Sequence, residues 1–594
     1  MQRRNLLKGA ALLPLLPLAR LQAAAAAPRS RVRPKDPLWP AAADWQALKD
    51  DVGGNLAQVA ALCAPCAQPD GAACAGLRHE LPNPYFIGDQ PGGTQVSGWL
   101  SAWTPAPSAY ALRARHAADV AAAVNFARKH HLRVVVKGGG HSYFGNSQGP
   151  DSLLIWTRAM RTIALHETFV GEGCQGREAP APAVSLGAGC MWADAYHAVT
   201  AQAGRYVQGG GCTTVGVAGL IQSGGFGSFS KAFGNAASGL IEAEVVTADG
   251  VVRIANAATH PDLYWALKGG GGGTFGVVTR VTLRTHELPE FFGAAWGTIR
   301  AHSEPALREL LTRFIDFYAT QLANEHWGEQ FAVRPDNSLK ISLVCQGLTN
   351  EEVHALWQPF FAWAQTAPGL EVTGALGAGV KAARKWWDVA GNSHMIADER
   401  PEAPATHGWW QGDQEQVGMF LHGYDSLWLP AALLQGGARE HLASALIAAS
   451  RFKEVELHCN KGLAFAAAPA IAAARATAMN PDVTQAFALA IIADGEGPRY
   501  PGLPVAPLDV GAAQKDAQAI RRATAALRRI APRAGSYLSE SNYFNEHWQQ
   551  AYYGAENYRR LRVIKKKYDP EGLFWVHHGV GSEEWSADGF TRLS

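Results

Sequence analysis

His141 and Cys212 each end a run of three glycines, in "VVVKGGGHSYFGNSQG" (residues 134–149) and "YVQGGGCTTVGVAG" (residues 206–219). Imidazole and thiol are both nucleophiles, and neither acts far from its own backbone. A glycine run after a short apolar strand lets backbone N–H groups come close to something flat or anionic. The histidine then stands beside whatever is bound. The plain alternatives are a hydrogen-bonded core histidine and a small buried thiol, the commonest fate of a free cysteine.

Other glycine-rich chemistries are excluded by their flanks. No Gly-Lys dipeptide occurs anywhere in the chain, which removes a phosphate-loop ATPase. Gly145–Gly149, "GNSQG", has the spacing of a hydrolase nucleophile elbow, but Pro150 and the strand-like "SLLIW" follow where a helix is required. Gly271, Gly273 and Gly276 have dinucleotide-fingerprint spacing. They run helix-like "PDLYWAL", glycines, then strand "FGVVTRVTL", the reverse of the required order, so the match is read as accidental.

The elements that must position these residues belong to a chain of 594 residues, too long for one ordinary core. Apolar residues make up 47% and charged residues 18%, a globular composition. A formal net charge of +2, with no basic run interleaved with aromatics, gives no sign of a nucleic-acid partner. Nineteen Trp and 63 Gly suit a flat ligand or a sugar. Residues 1–27 read as a signal segment. Arg3 and Arg4 precede a proline-broken apolar run and an alanine-rich stretch, resembling a twin-arginine signal that carries folded proteins to the periplasm or beyond. That run is shorter than the roughly 20 residues of a membrane span, and no later stretch reaches 18 apolar residues. Of the eight cysteines, Cys63, Cys66 and Cys74 with His79 could form a zinc cluster, but export favours one disulfide among them, its pairing unassigned.

Along residues 101–290, "AYALRA", "ADVAAAVNFARKHH" and "RVVVKG" read as a βαβ unit. Strands "SLLIWTRAM" and "AVSLGAG" follow, then the helix "MWADAYHAVTAQAG" ending at Gly204 and a hairpin at Asp249-Gly250. Two separate glycine segments argue for one long ligand held along its length. Residues 28–100 form an N-terminal extension, residues 291–530 read as a second domain of sheet plus helices, and residues 531–594 are an aromatic-rich tail.

One ligand suits both nucleophiles. The imidazole can add to the 8-methyl carbon of a flavin and a cysteine thiolate to the neighbouring C6 position. The motifs "KGGGHSYFG", "GGGCTTVGVAGLIQSGGFGSFSKAFG" and "NYRRLRVIKKKYDPEGLFWVHHGVGSEEW" resemble the vanillyl-alcohol-oxidase superfamily, specifically its berberine-bridge-enzyme-like branch. The resemblance covers roughly residues 100–290 and 535–585. It implies an α+β fold: a two-part FAD-binding domain of the PCMH type, and a substrate domain of antiparallel sheet covered by helices. It also implies FAD linked through His141 (8α-histidyl) and Cys212 (6-S-cysteinyl). Gly138, Gly139, Gly140 and Ser142 would lie along the pyrophosphate; Val215, Gly216, Ser223, Gly224, Gly225 and Gly227 would continue the groove, with Val278 near the adenine. The sequence departs from the branch at Ala218 and Leu220, where many members have Gly and His, and at Ser539, where many have Asn.

The implied reaction is hydride removal from a small alcohol, sugar or aromatic substrate, with a base taking the O–H or N–H proton and O2 reoxidising the flavin. Candidates for the substrate face are Tyr143, Tyr537, Glu540, Tyr543 and Asn545. A tyrosine serves as base only if its neighbours lower a pKa normally near 10. Trp386-Trp387 and Trp409-Trp410 could stack on a sugar or aromatic ring, or be core. No metal site is expected. The rival readings are a dehydrogenase using a periplasmic acceptor and a flavin-binding protein without turnover.

Overall fold

The computed structural model describes residues 30–593, so the expected signal segment, with Arg3 and Arg4, lies outside the described residues. A first sheet joins β1 (Leu56–Gln58), β2 (Tyr110–Arg113), β3 (Arg133–Lys137) and β4 (Ser152–Trp156) in the order β1-β2-β4-β3. The chain from β2 to β3 crosses over through the helix Ala117–Lys129. That helix buries Val120, Ala123, Val124 and Ala127 at helical spacing. The βαβ unit is therefore present, but β4 inserts between its two strands and runs parallel to both. Nearly every residue of β3 and β4 is buried, as sandwiched parallel strands require.

A second, antiparallel sheet contains β5 (Ile163–Phe169), β6 (Ala181–Gly187), β7 (Arg205–Val207), β8 (Leu240–Val246), β9 (Val252–Asn256) and β10 (Val277–Glu287). The β8–β9 hairpin turns at Asp249-Gly250, where Gly250 has φ +77°.

The third sheet is built from β11 (Phe291–Ala301), β12 (Trp327–Val333), β13 (Ser338–Gln346) and β14 (Leu370–Ala382). An excursion at 386–417 then carries the small hairpin β15 (Met395–Ala397) and β16 (Gly408–Trp410). After it, β17 (Phe420–Pro430), β18 (Val455–His458) and β19 (Ala486–Glu496) complete the order β14-β11-β13-β12-β18-β19-β17, antiparallel throughout. The helices Glu304–Phe317, Asn350–Thr366, Ala438–Ser450 and Val510–Arg528 cover one face. Because strand side chains alternate, Phe331, Ile341, Leu343, Leu457 and Ile492 enter the core beneath those helices. Gln330, Ser342, Val344, Glu456 and His458 face the other way, into a cavity. This is the expected α+β architecture with a helix-covered antiparallel sheet.

Near the start of the described chain, Cys66 and Cys74 form a disulfide, and Cys63, Cys174, Cys190, Cys212, Cys345 and Cys459 are free thiols. Among the described residues no group of three or more His, Cys, Asp or Glu is placed to hold a metal, and no helix is long and apolar enough to cross a membrane. The C-terminal helix Trp548–Tyr568 is kinked at Gly554 (φ +71°). The chain then returns beneath the first sheet, where Phe574 bridges Val134 and buried Lys565 donates to the carbonyls of Thr274 and Phe574, both at 2.6 Å.

Candidate active site

β3 ends at Lys137, whose ammonium is used up by the carbonyls of Gln90 (2.7 Å), Pro91 (2.9 Å) and Gly93 (3.0 Å). The strand therefore delivers Gly138 to a fixed point. The loop turns at Gly140 (φ +81°), and His141 enters the wall of a cavity of about 1500 Å³. An ordinary small ligand needs roughly 300–1,000 Å³; this volume has room for a dinucleotide together with a substrate.

The two glycine segments meet back to back. A Cβ on Gly139 would stand 2.8 Å from the nitrogen of Gly216, and one on Gly216 would stand 2.9 Å from the nitrogen of Gly139. The Thr214 hydroxyl sits between the two nucleophiles, 3.1 Å from Nε2 of His141 and 3.4 Å from Sγ of Cys212. Burial holds the His141 imidazole down to about pKa 4, against the opposing pull of the Thr214 backbone, so it is neutral, and its contact with the Thr214 hydroxyl runs through Nε2. Burial, with Asp413 beside it, pushes the Cys212 thiol far above its ordinary value. Burial likewise pushes the Asp413 carboxyl up to about 6, with the nearby Cys212 thiol opposing that rise.

The loop also fits a phosphate-bearing cofactor. The backbone N–H groups of Gly139, Gly140, His141 and Ser142 find no acceptor among the described residues, a row of free donors of the kind that binds pyrophosphate. Gly272 and Gly273 are likewise free and line the same cavity. The segment whose fingerprint spacing reads as accidental thus faces the site. Its order is helix Pro261–Leu267, glycines, β10, the reverse of a Rossmann turn, as its flanks required.

Of the residues singled out from sequence, Gly138, Gly139, Gly140, His141, Ser142, Cys212, Val215, Gly216, Ser223 and Val278 line the cavity, as do Tyr143, Tyr537 and Glu540. Five do not. A Cβ on Gly224 would meet the side chain of Met479, on Gly225 that of Leu220, and on Gly227 the carbonyl of Gly209, so these glycines permit close packing of the chain on itself. Tyr543 is stacked on His577 (3.8 Å) and packs near Trp99 and Phe144, a partly buried aromatic lying against the core. Asn545 accepts from the N–H of His547 (3.0 Å) in an exposed turn.

Residues that sequence reasoning missed come from distant elements. Tyr424, on β17, packs on Tyr143 with ring centroids 5.2 Å apart, and Lys461, just past β18, is ion-paired with Glu540. Glu329 holds a left-handed backbone (φ +58°) within β12, which turns its carboxylate toward Ser228 at the cavity wall. Such strain in a non-glycine residue marks a constrained site. The 386–417 excursion clamps the cysteine segment: Thr213 donates to the carbonyl of Gly408 (2.7 Å), Trp410 to that of Gly211 (3.1 Å), and Trp387 stacks on Tyr196 (4.0 Å). The tryptophan doublets therefore line the cavity and fasten this clamp at once. At the opposite rim, Asn146 and the backbone of His577 exchange two hydrogen bonds (2.9 and 3.2 Å), tying the tail to the histidine loop.

A histidine and a cysteine bridged by one hydroxyl, beside a row of free backbone N–H groups in a large cavity, suit a flavin-dependent oxidoreductase, and comparison with known proteins gives the same class. Residues 108–256 match the FAD binding domain family and residues 529–581 the berberine and berberine-like family. The FAD-linked oxidoreductase notD' of Aspergillus versicolor is 30% identical over 95% of this chain and 90% of its own. The VAO-type flavoprotein MtVAO615 of Myceliophthora thermophila C1 superposes with a TM-score of 0.76 at 26% identity, over 95% of this chain and 99% of that one. The glucooligosaccharide oxidase of Acremonium strictum, with its 6-S-cysteinyl, 8α-N1-histidyl FAD, shares the fold at 18% identity (TM-score 0.60, 82% of this chain and 94% of that one). The chain belongs to the FAD-linked oxidoreductases of the vanillyl-alcohol-oxidase and berberine-bridge type: it is an enzyme, and it binds FAD.

Proposed function

We propose that this chain is an exported oxidase that holds FAD through both His141 and Cys212 and oxidises an alcohol or sugar, with O2 as acceptor and H2O2 as product. The observation that carries the reading is the single cavity, with the Thr214-bridged nucleophiles on one wall and a polar sheet face opposite. When bound, the isoalloxazine supplies a hydride acceptor at N5 and passes two electrons onward. The residues of this chain do the rest. The N–H row of Gly139–Ser142 holds pyrophosphate. Glu540, held by Lys461, takes the substrate hydroxyl proton. Tyr143, Tyr424 and Tyr537 have phenol pKa values raised by burial, with the Glu540 charge adding to each, so they stay protonated and donate to the substrate oxygen. Gln330, Ser342 and the Glu456–His458 pair (3.1 Å) offer further partners for a hydroxyl-bearing substrate.

The test is the purified protein mixed with a panel of alcohols and sugars, with flavin bleaching followed without air and peroxide followed in air. Bleaching and peroxide together are expected. Bleaching without peroxide would place the enzyme among dehydrogenases, and no bleaching with any substrate would favour a binding protein. For export, Arg3→Lys with Arg4→Lys is expected to leave precursor in the cytoplasm, and unchanged secretion would overturn the twin-arginine reading.

A further inference from the structure

We propose that the Thr214 hydroxyl is the shared positioning group for both flavin attachments, holding His141 and Cys212 in the one protonation pattern in which each is a nucleophile. The proposal rests on the two-link reading above. A hydroxyl has one proton to donate and lone pairs to accept with. Thr214 is only 2% exposed, and among the described residues the side-chain partners of its Oγ1 are Nε2 of His141 and Sγ of Cys212. If Nε2–H donates to Oγ1, the lone pair of the imidazole stays on Nδ1, the nitrogen not engaged by Thr214, and the hydroxyl proton is free to point at sulfur. The opposite polarity would place the imidazole proton on Nδ1 and turn an oxygen lone pair toward sulfur. One orientation thus readies both groups and the other disables both. The neighbouring Thr213 cannot substitute, because its hydroxyl is committed to the Gly408 carbonyl at 2.7 Å.

The same arrangement accounts for the protons. At His141 an Nδ1–C bond replaces a C–H bond of the ring methyl; the Nε2 proton leaves toward Thr214 and the methyl hydrogen leaves as a second proton. Two electrons pass through the ring to O2, giving one H2O2. At Cys212 an S–C6 bond replaces the C6–H bond, and the C6 hydrogen leaves as a proton. The thiol proton goes to Asp413, which stands beside Cys212 and whose Oδ2 is buried without a hydrogen-bond partner. Two further electrons reduce a second O2 to H2O2.

The experiment compares full-length wild type, Thr214→Val and Thr214→Ser by the mass of the His141 and Cys212 peptides, with total FAD content measured by absorbance. Thr214→Val removes the hydroxyl at nearly constant shape; should it not fold, Thr214→Ala is read in the same way. The hydroxyl-free variant is expected to take up FAD but carry about ten-fold less flavin on both peptides, the scale on which an outer hydrogen-bond partner of a ligating histidine acts. Thr214→Ser is expected to restore both. Full modification of both peptides without the hydroxyl, or loss at one peptide alone, overturns the shared role. An unmodified Cys212 peptide in the wild type overturns the two-link reading itself, and this proposal with it.

Discussion

Glu540→Gln is expected to slow substrate-driven flavin reduction by about 10²–10⁴-fold, the range that a positioned general base contributes, with FAD content unchanged. Glutamine keeps the volume of the side chain and an oxygen for Lys461, so the Glu540–Lys461 contact survives while the proton acceptor is lost. The tyrosines around it cannot take over. Burial raises the pKa values of Tyr143, Tyr424 and Tyr537, and the carboxylate of Glu540 raises each of them further. Lys461→Met should produce a smaller loss, since it removes the partner that orients the carboxylate and leaves the acceptor in place. Rapid mixing without air reads the effect directly, free of any change in reoxidation. Wild-type reduction rates in Glu540→Gln would exclude Glu540 and return the role to a phenol.

The second large effect is expected in flavin retention. His141→Ala and Cys212→Ala should each still yield a fluorescent band in a denaturing gel, because the other link remains. The double substitution should release all the flavin. Cys212→Ala removes little packing, since the thiol is small and a cavity of its size costs roughly 1 kcal/mol, so loss of flavin there would not reflect loss of fold. His141 and Cys212 line the same cavity and contact one hydroxyl from its two sides, which places both within reach of a single bound ring. A flavin mass on the His141 peptide alone would falsify the double linkage and reduce Cys212 to a packing residue.

The sequence by itself determined the local conformations. Alternating and helical apolar patterns placed β3, β4, the helix Ala117–Lys129 and the Asp249-Gly250 hairpin, because each depends on residues within a few positions of one another. The glycine runs before His141 and Cys212 were legible for the same reason: glycine changes what its own backbone can do. The tertiary structure alone decided which segments share the cavity. Gly271–Gly273 had the wrong flanks for a Rossmann turn and still reached the site, since Lys565 in the tail pins the adjoining Thr274 carbonyl there. Tyr537 and Tyr543 look alike in sequence, yet one faces the cavity and the other is stacked on His577, 34 residues away. Glu540 gained its cation from Lys461, and Cys212 gained Asp413 from the 386–417 excursion. Such pairings depend on how three sheets and a returning tail pack together, and side-chain pattern encodes the face a residue takes on its own element without encoding which distant element will cover that face.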